Sequence, residues 1–144
     1  MLVKILMYII LNSLIIPSAS DKWNFSADGS AEFYKDHNQT IQKFTENVHI
    51  YTDSLSLFTD EAWDYKDNKE VHLKGNILMV SNSDSLFCDS MIYWIDKDSL
   101  IAINNVIINR NNLVINANSV NLWKVNGYRG FSFVGEGAVE INDY

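Results

Sequence analysis

Apolar residues recur along this chain on two scales: they alternate with polar ones inside short runs, and the runs themselves return every 29 residues. Asn47, Asn76 and Asn105 open three copies, followed by Val48, Ile77 and Val106 and then by Ile50, Met79 and Ile108. Further in come Leu57, Leu86 and Ile115; Asp60, Asp89 and Asn118; Ala62, Met91 and Val120; and Tyr65, Trp94 and Trp123. Seven columns hold register over two periods without a gap. A repeat of this length is a unit that cannot bury its apolar face alone, so the copies must stack on one another.

Within each copy the period is two, which is the period of strands. Val48 and Ile50 alternate with His49 and Tyr51, and Leu57, Leu86 and Ile115 share a parity with Thr59, Cys88 and Ala117. Met91, Tyr93, Val120 and Leu122 form a third set, with Ala62 and Asp64 as its weak member; Val71, Leu73, Leu100 and Ala102 form a fourth. The expectation is four short strands per unit, each with one apolar face. Phe58, Phe87, Trp94 and Trp123 fall on the other parity. The Asp60, Asp89 and Asn118 column lies where one strand passes into the next, and its expected role is a corner residue that bonds the turned backbone.

The flanks carry weaker copies. Phe25, Asp28, Ala31 and the run Tyr34 to Asp36 echo Phe58, Asp60, Ala62 and Tyr65 to Asp67, with the spacing slipped by two residues, so an entry unit is expected before the first full copy. After Trp123 comes the insertion VNGYRG, then a last partial unit in which Gly137, Ala138 and Val139 stand for Gly75, Asn76 and Ile77. Ahead of all this lies MLVKILMYIILNSLIIPSAS: Lys4 gives a positive start, Ile5 to Ile16 an apolar run, Pro17 a break, and Ser18 to Ser20 small residues. That order reads as a cleaved secretory signal over residues 1–20. A spanning helix would need about 20 apolar residues. A single domain over 21–144 follows, exported to a periplasm.

Composition narrows the class. One Pro and six Gly among 144 residues, with 47% hydrophobic content, favour an ordered all-β domain over a disordered chain. A formal charge of −7 with 11 scattered Lys and Arg argues against nucleic acid, which needs a clustered basic surface. The single cysteine, Cys88, forms no internal disulfide, and the nearest histidine in sequence, His72, makes no ligand cluster with it, so no metal or cofactor is expected. Asp60 and Asp89 are the one conceivable catalytic carboxylate pair. Equivalent positions of consecutive repeats make a poor cleft for acid and base work, so no catalytic residues are assigned.

The stretch LFTDEAWDYKDNKEVHLKGNI, Leu57 to Ile77, resembles the recurring unit of the OstA-like family, which includes LptA, the periplasmic part of LptC and the N-terminal domain of LptD. The next copy, LFCDSMIYWIDKDSLIAINNV, keeps the Asp and the aromatic and has Asn104 where the Gly stood. The likeness covers residues 25–142. What it implies is an open, twisted antiparallel β-jellyroll of stacked repeats, without enzymatic activity, that carries the acyl chains of lipopolysaccharide and joins its neighbours end to end between the inner and outer membranes. It implies a lipid groove lined by Val48, Ile50, Leu57, Ile77, Met79, Leu86, Met91, Val106, Ile108, Ile115 and Val120. The final strand around Val139 and Ile141, which has no Lys or Pro, would be the edge that pairs with another jellyroll or with a second copy of the chain. The competing expectation is a structural β-solenoid or adhesin-like repeat with a dry core and aromatics on a flat outer face.

Overall fold

The computed structural model describes residues 22–82, 84–125, 128–134 and 138–141, with the backbone alone for 124–125, 128–131, 134 and 138–141. The leader expected over residues 1–20 lies outside the described residues. Strands dominate: β1 (Asn24–Ser26), β2 (Ala31–Asp36), β3 (Gln39–Tyr51), β4 (Ser56–Tyr65), β5 (Glu70–Ser81), β6 (Asp84–Trp94), β7 (Ser99–Arg110), β8 (Leu113–Val125), β9 (Tyr128–Val134) and β10 (Ala138–Ile141). A turn of 3-10 helix at Ile95–Lys97 separates β6 from β7. All pairings are antiparallel, and β3 to β8 follow one another in sequence order across a single sheet.

Each 29-residue repeat supplies two long strands in place of the four short ones expected, and every long strand runs unbroken through a corner. The corner is a bulge in which two residues of one strand oppose one of the next: Glu46 and Asn47 oppose Asp60, Gly75 and Asn76 oppose Asp89, and Asn104 and Asn105 oppose Asn118. Both residues of each bulge are left-handed, at φ 66° and 47° for Glu46 and Asn47, 88° and 45° for Gly75 and Asn76, and 62° and 50° for Asn104 and Asn105. Asn tolerates that region better than most residues because its short polar side chain bonds locally. The backbone therefore turns on the Asn column without breaking the ladder.

Bending every strand at the same place folds the sheet into two layers joined along one ridge. One layer holds the first halves of β3, β5 and β7 with the second halves of β4, β6 and β8; the other holds the remaining halves. At one edge β2 pairs the first half of β3 and β1 its second half; at the other edge β9 and β10 divide β8 in the same way. The hairpin turns lie along the side opposite the ridge.

The entry and exit units differ from expectation in register. Phe25 pairs with Ile50, which in turn pairs with Leu57, so Phe25 is the counterpart of Leu57, not of Phe58. The slip before Asp28 is three residues, two of them in the longer β2–β3 hairpin and one where the chain loops out between Asp28 and Ala31. At the far end Val139 pairs with Ile115 as Met79 pairs with Leu57, which moves Val139 to the place of Met79 instead of Ile77. The β8–β9 hairpin is two residues longer than the equivalent β6–β7 hairpin, whereas the Ile77 place would need four extra residues.

Candidate functional site: the interior between the layers

The inward parities meet in one cluster. Val48, Ile50, Leu86 and Val120 are 0% exposed, Ile77, Met91, Val106, Ile108 and Ile115 are 1%, Leu57 is 2% and Met79 is 3%. All eleven residues expected to line a groove thus face one another across the gap between the layers, packed with Phe44, Leu73, Leu100 and Leu122. Burying one such side chain contributes about 1.5–3 kcal/mol, against about 0.5–1.5 kcal/mol for a ladder hydrogen bond, so this interior dominates the stability of the fold. Val139 and Ile141 lie on the terminal strand β10, which forms half of the outer edge beside β8; their side chains lie outside the described residues.

Polar groups mark the ridge and the open side. Asn47 donates its Nδ2 hydrogen to Asp28 at 3.0 Å, Asn76 to Asp60 at 2.9 Å and Asn105 to Asp89 at 2.7 Å. The acidic column therefore bonds the Asn side chain of the following strand and not the turned backbone, contrary to the expectation. Just inside the ridge, Thr59 Oγ1 donates within a cage of the Glu61, Lys74 and Gly75 carbonyls, at 3.2, 3.1 and 3.1 Å. Cys88 takes the same place one repeat later, and burial pushes its thiol up to about 12 despite hydrogen bonds to the backbone at Ile103 and Ser90. On the open side Asp64 is 5% exposed and ion-paired to Lys66, whose ammonium also lies 5.8 Å from the Phe25 ring centre.

The N-terminal segment crosses this open side. Trp23 reaches from the layer of β1 to Tyr93 in the other layer, with ring centres 4.7 Å apart, and Phe25 stacks on Phe44 at 5.1 Å. Sequence periodicity gives no sign of Trp23. It lies before the first recognisable copy, and no column of the repeat contains it.

The outer faces are not bare of apolar residues. Phe58 and Phe87 are 42% and 41% exposed, His49 stacks on Phe58 at 4.5 Å, and a cavity of about 400 Å³ lies beside Phe58, Leu78 and Phe87. A second, of about 320 Å³, opens on the other layer among Trp63, Tyr65, His72 and Ile92. Asp60 and Asp89 stand on alternate strands with β5 between them, which puts their strands roughly 10 Å apart. Each is engaged by its own Asn. Among the described residues no group of three or more His, Cys, Asp or Glu could hold a metal ion.

The ridge, the two layers and the divided edges are what known structures can be compared with. Superposed on the crystal structure of LptH, the LptA-homologous periplasmic component of the lipopolysaccharide transport device of Pseudomonas aeruginosa, the chain gives a TM-score of 0.69 over 88% of its own length and 100% of the LptH chain. The fold is an LptA-like β-jellyroll. Sequence identity across that match is 13%, so the likeness to LptH lies in how the strands bend and stack more than in which residues do so. No protein-family model and no curated sequence matches the chain. Within the LptA-like jellyroll, the expected groove residues occupy the interior between the layers and the expected aromatics the outer faces.

Proposed function

We propose that this protein is a non-catalytic carrier in lipopolysaccharide export, working in the periplasm after its leader over residues 1–20 is removed. The observation that carries the reading is a single apolar interior that runs from the β1–β2 edge to the β9–β10 edge, in a jellyroll of the kind found in LptH. Acyl chains would lie between the layers along Met79, Leu86, Ile108 and Ile115. The formal net charge of −7 for the whole sequence becomes −8 once Lys4 leaves with the leader, so the protein repels phosphorylated headgroups and the head would project into solvent from the open side. Its partners would be other OstA-like jellyrolls, and copies of itself, paired strand to strand at the two edges.

A photo-crosslinking residue at Leu86 or Ile108 tests the reading in living cells. Capture of lipopolysaccharide at these positions, and none at Phe87 or Trp94, is the expected outcome. Inward probes that leave the protein folded yet never trap lipid would show that the repeat is scaffold only. That second reading, a structural repeat with a dry core, draws on the close packing of the interior and on the exposed Phe58, Phe87 and Tyr51. It forecasts that a bulky residue at Leu86 destabilises the fold by about 1–3 kcal/mol through overpacking.

A further inference from the structure

The interior residues Val48, Ile50, Leu86 and Val120 are fully buried, so no chain can reach them unless some part of the wall moves. The ridge is a poor place to open, because every long strand is covalently continuous through it. The central hairpins are held by long ladders on both sides. The N-terminal segment is different: among the described residues β1 has only three paired residues, Asn24, Phe25 and Ser26, and a neighbour on one side alone.

This segment has an anchored end and an end with few bonds. At Asp28 and Gly29 the backbone N–H groups donate to the carbonyls of Glu46 and Thr45, at 2.9 and 3.0 Å, and Asn47 holds the Asp28 carboxylate. Gly29 fits so closely that an added Cβ would lie 2.6 Å from the Thr45 carbonyl oxygen. Toward the other end, Trp23, Phe25 and Ala27 pack partly buried against the core. The buried Nε1 hydrogen of Trp23 meets no acceptor among the described residues. A donor removed from water without a partner favours leaving the site. What Trp23 and Phe25 fill is an apolar gap bridging the layers, floored by Tyr93 and Phe44.

We infer that the gap beneath Trp23 and Phe25 is the entry port for a single aliphatic chain of an amphiphile, and that residues 22–27 are a strap, hinged at Asp28–Gly29, which the chain displaces. The inference rests on the lipid-carrying reading above and adds to it the place and order of entry. Strap and ligand compete for the same apolar contacts, so ligand affinity scales with the fraction of molecules whose strap is out.

A disulfide staple tests this. Asn24 and Tyr51 are register partners on the outward parity, so N24C with Y51C, in a C88A background, ties the strap to β3 without entering the interior. The probe is cis-parinaric acid, a fluorescent fatty acid, titrated into the exported protein. The oxidised staple should bind about tenfold more weakly than its reduced form, and W23A more tightly than the parent. Saturating probe should expose the parent, and not the staple, to chymotryptic cleavage after Trp23. Equal affinity of the oxidised and reduced staple overturns the port while leaving the lipid-carrying reading intact. Failure of every form, W23A included, to bind the probe overturns both.

Discussion

Asn105 on β7 donates its side-chain hydrogen to the Asp89 carboxylate on β6, at 2.7 Å, across the corner where both strands bend. Asn76 and Asp60 repeat the relationship one unit earlier at 2.9 Å. These pairs fix the carboxamide that lets each bulge remain left-handed. Replacing Asp89 by Ala should lower stability by about 1.5 kcal/mol, the low end for a hydrogen bond with one charged partner because the pair is exposed. Replacement by Asn, which keeps an acceptor, should cost less. Urea unfolding of the two variants checks the order, and equal losses would mean that the ridge does not depend on the carboxylate.

Gly75 is the bulge residue with the largest positive φ, 88°, and a Cβ there would collide with Asp60 Oδ2. Gly75→Ala therefore strains the backbone and displaces the acceptor of Asn76 at once. A loss of about 1–2 kcal/mol is expected. Combining it with Asp60→Ala should give less than the sum of the two losses, because the methyl group and the carboxylate compete for one place. Additive losses would refute that contact.

Cys88 gives a pH dependence. Its thiol rises from an ordinary 9.0 to about 12 in the fold, with burial the largest cause. Between those values the unfolded chain has lost the proton that the folded chain keeps, so stability falls as pH climbs from about 9 toward 12. Below pH 9 the group contributes no slope. Cys88→Ala, which matches Ala117 in the next repeat, should flatten this part of the curve, as measured by thermal melts at pH 8, 9 and 10. The same burial predicts negligible alkylation of native protein by iodoacetamide at pH 8.

The edges provide the fourth test. β2 is exposed along all six residues and, among the described residues, pairs with β3 alone, so its outer backbone groups are open to another strand. Neighbouring residues of an edge strand direct their N–H groups to opposite sides. Of Phe33→Pro and Tyr34→Pro, one should therefore abolish self-association while leaving the fold intact, and the other should unpair β2 from β3. Sedimentation velocity over a concentration series, with circular dichroism for the fold, separates them. A monomer at every concentration for the parent chain would remove edge pairing from the picture.

Most of this architecture is legible in the repeat itself. Parity alone puts Met79, Leu86 and Ile108 inside and Phe87 outside, because a sheet buried on one face leaves a period of two in the sequence. Corners are harder. A bulge changes the count on one strand without interrupting alternation for long, so two bent strands look like four straight ones. The partner of Asp60 escapes periodicity for a related reason: Asn76 comes beside it only when β4 and β5 are paired. Phe25 and Val139 fall in the wrong columns when counted along the chain, because each lies beyond an insertion, where register is set by pairing with β3 or β8. Trp23 leaves no trace in the sequence pattern, since its contact with Tyr93 depends on how the two layers face each other.

The recurrence of the bulge at one fixed interval makes the molecule modular in length. Duplicating residues 76–104 in frame would insert a further pair of bent strands with its own Asn on the ridge, lengthening the interior by roughly 10 Å without altering its cross-section. Interior length then becomes a matter of how many units the gene encodes, and an apolar cleft of any length can be written by copying one paragraph of sequence.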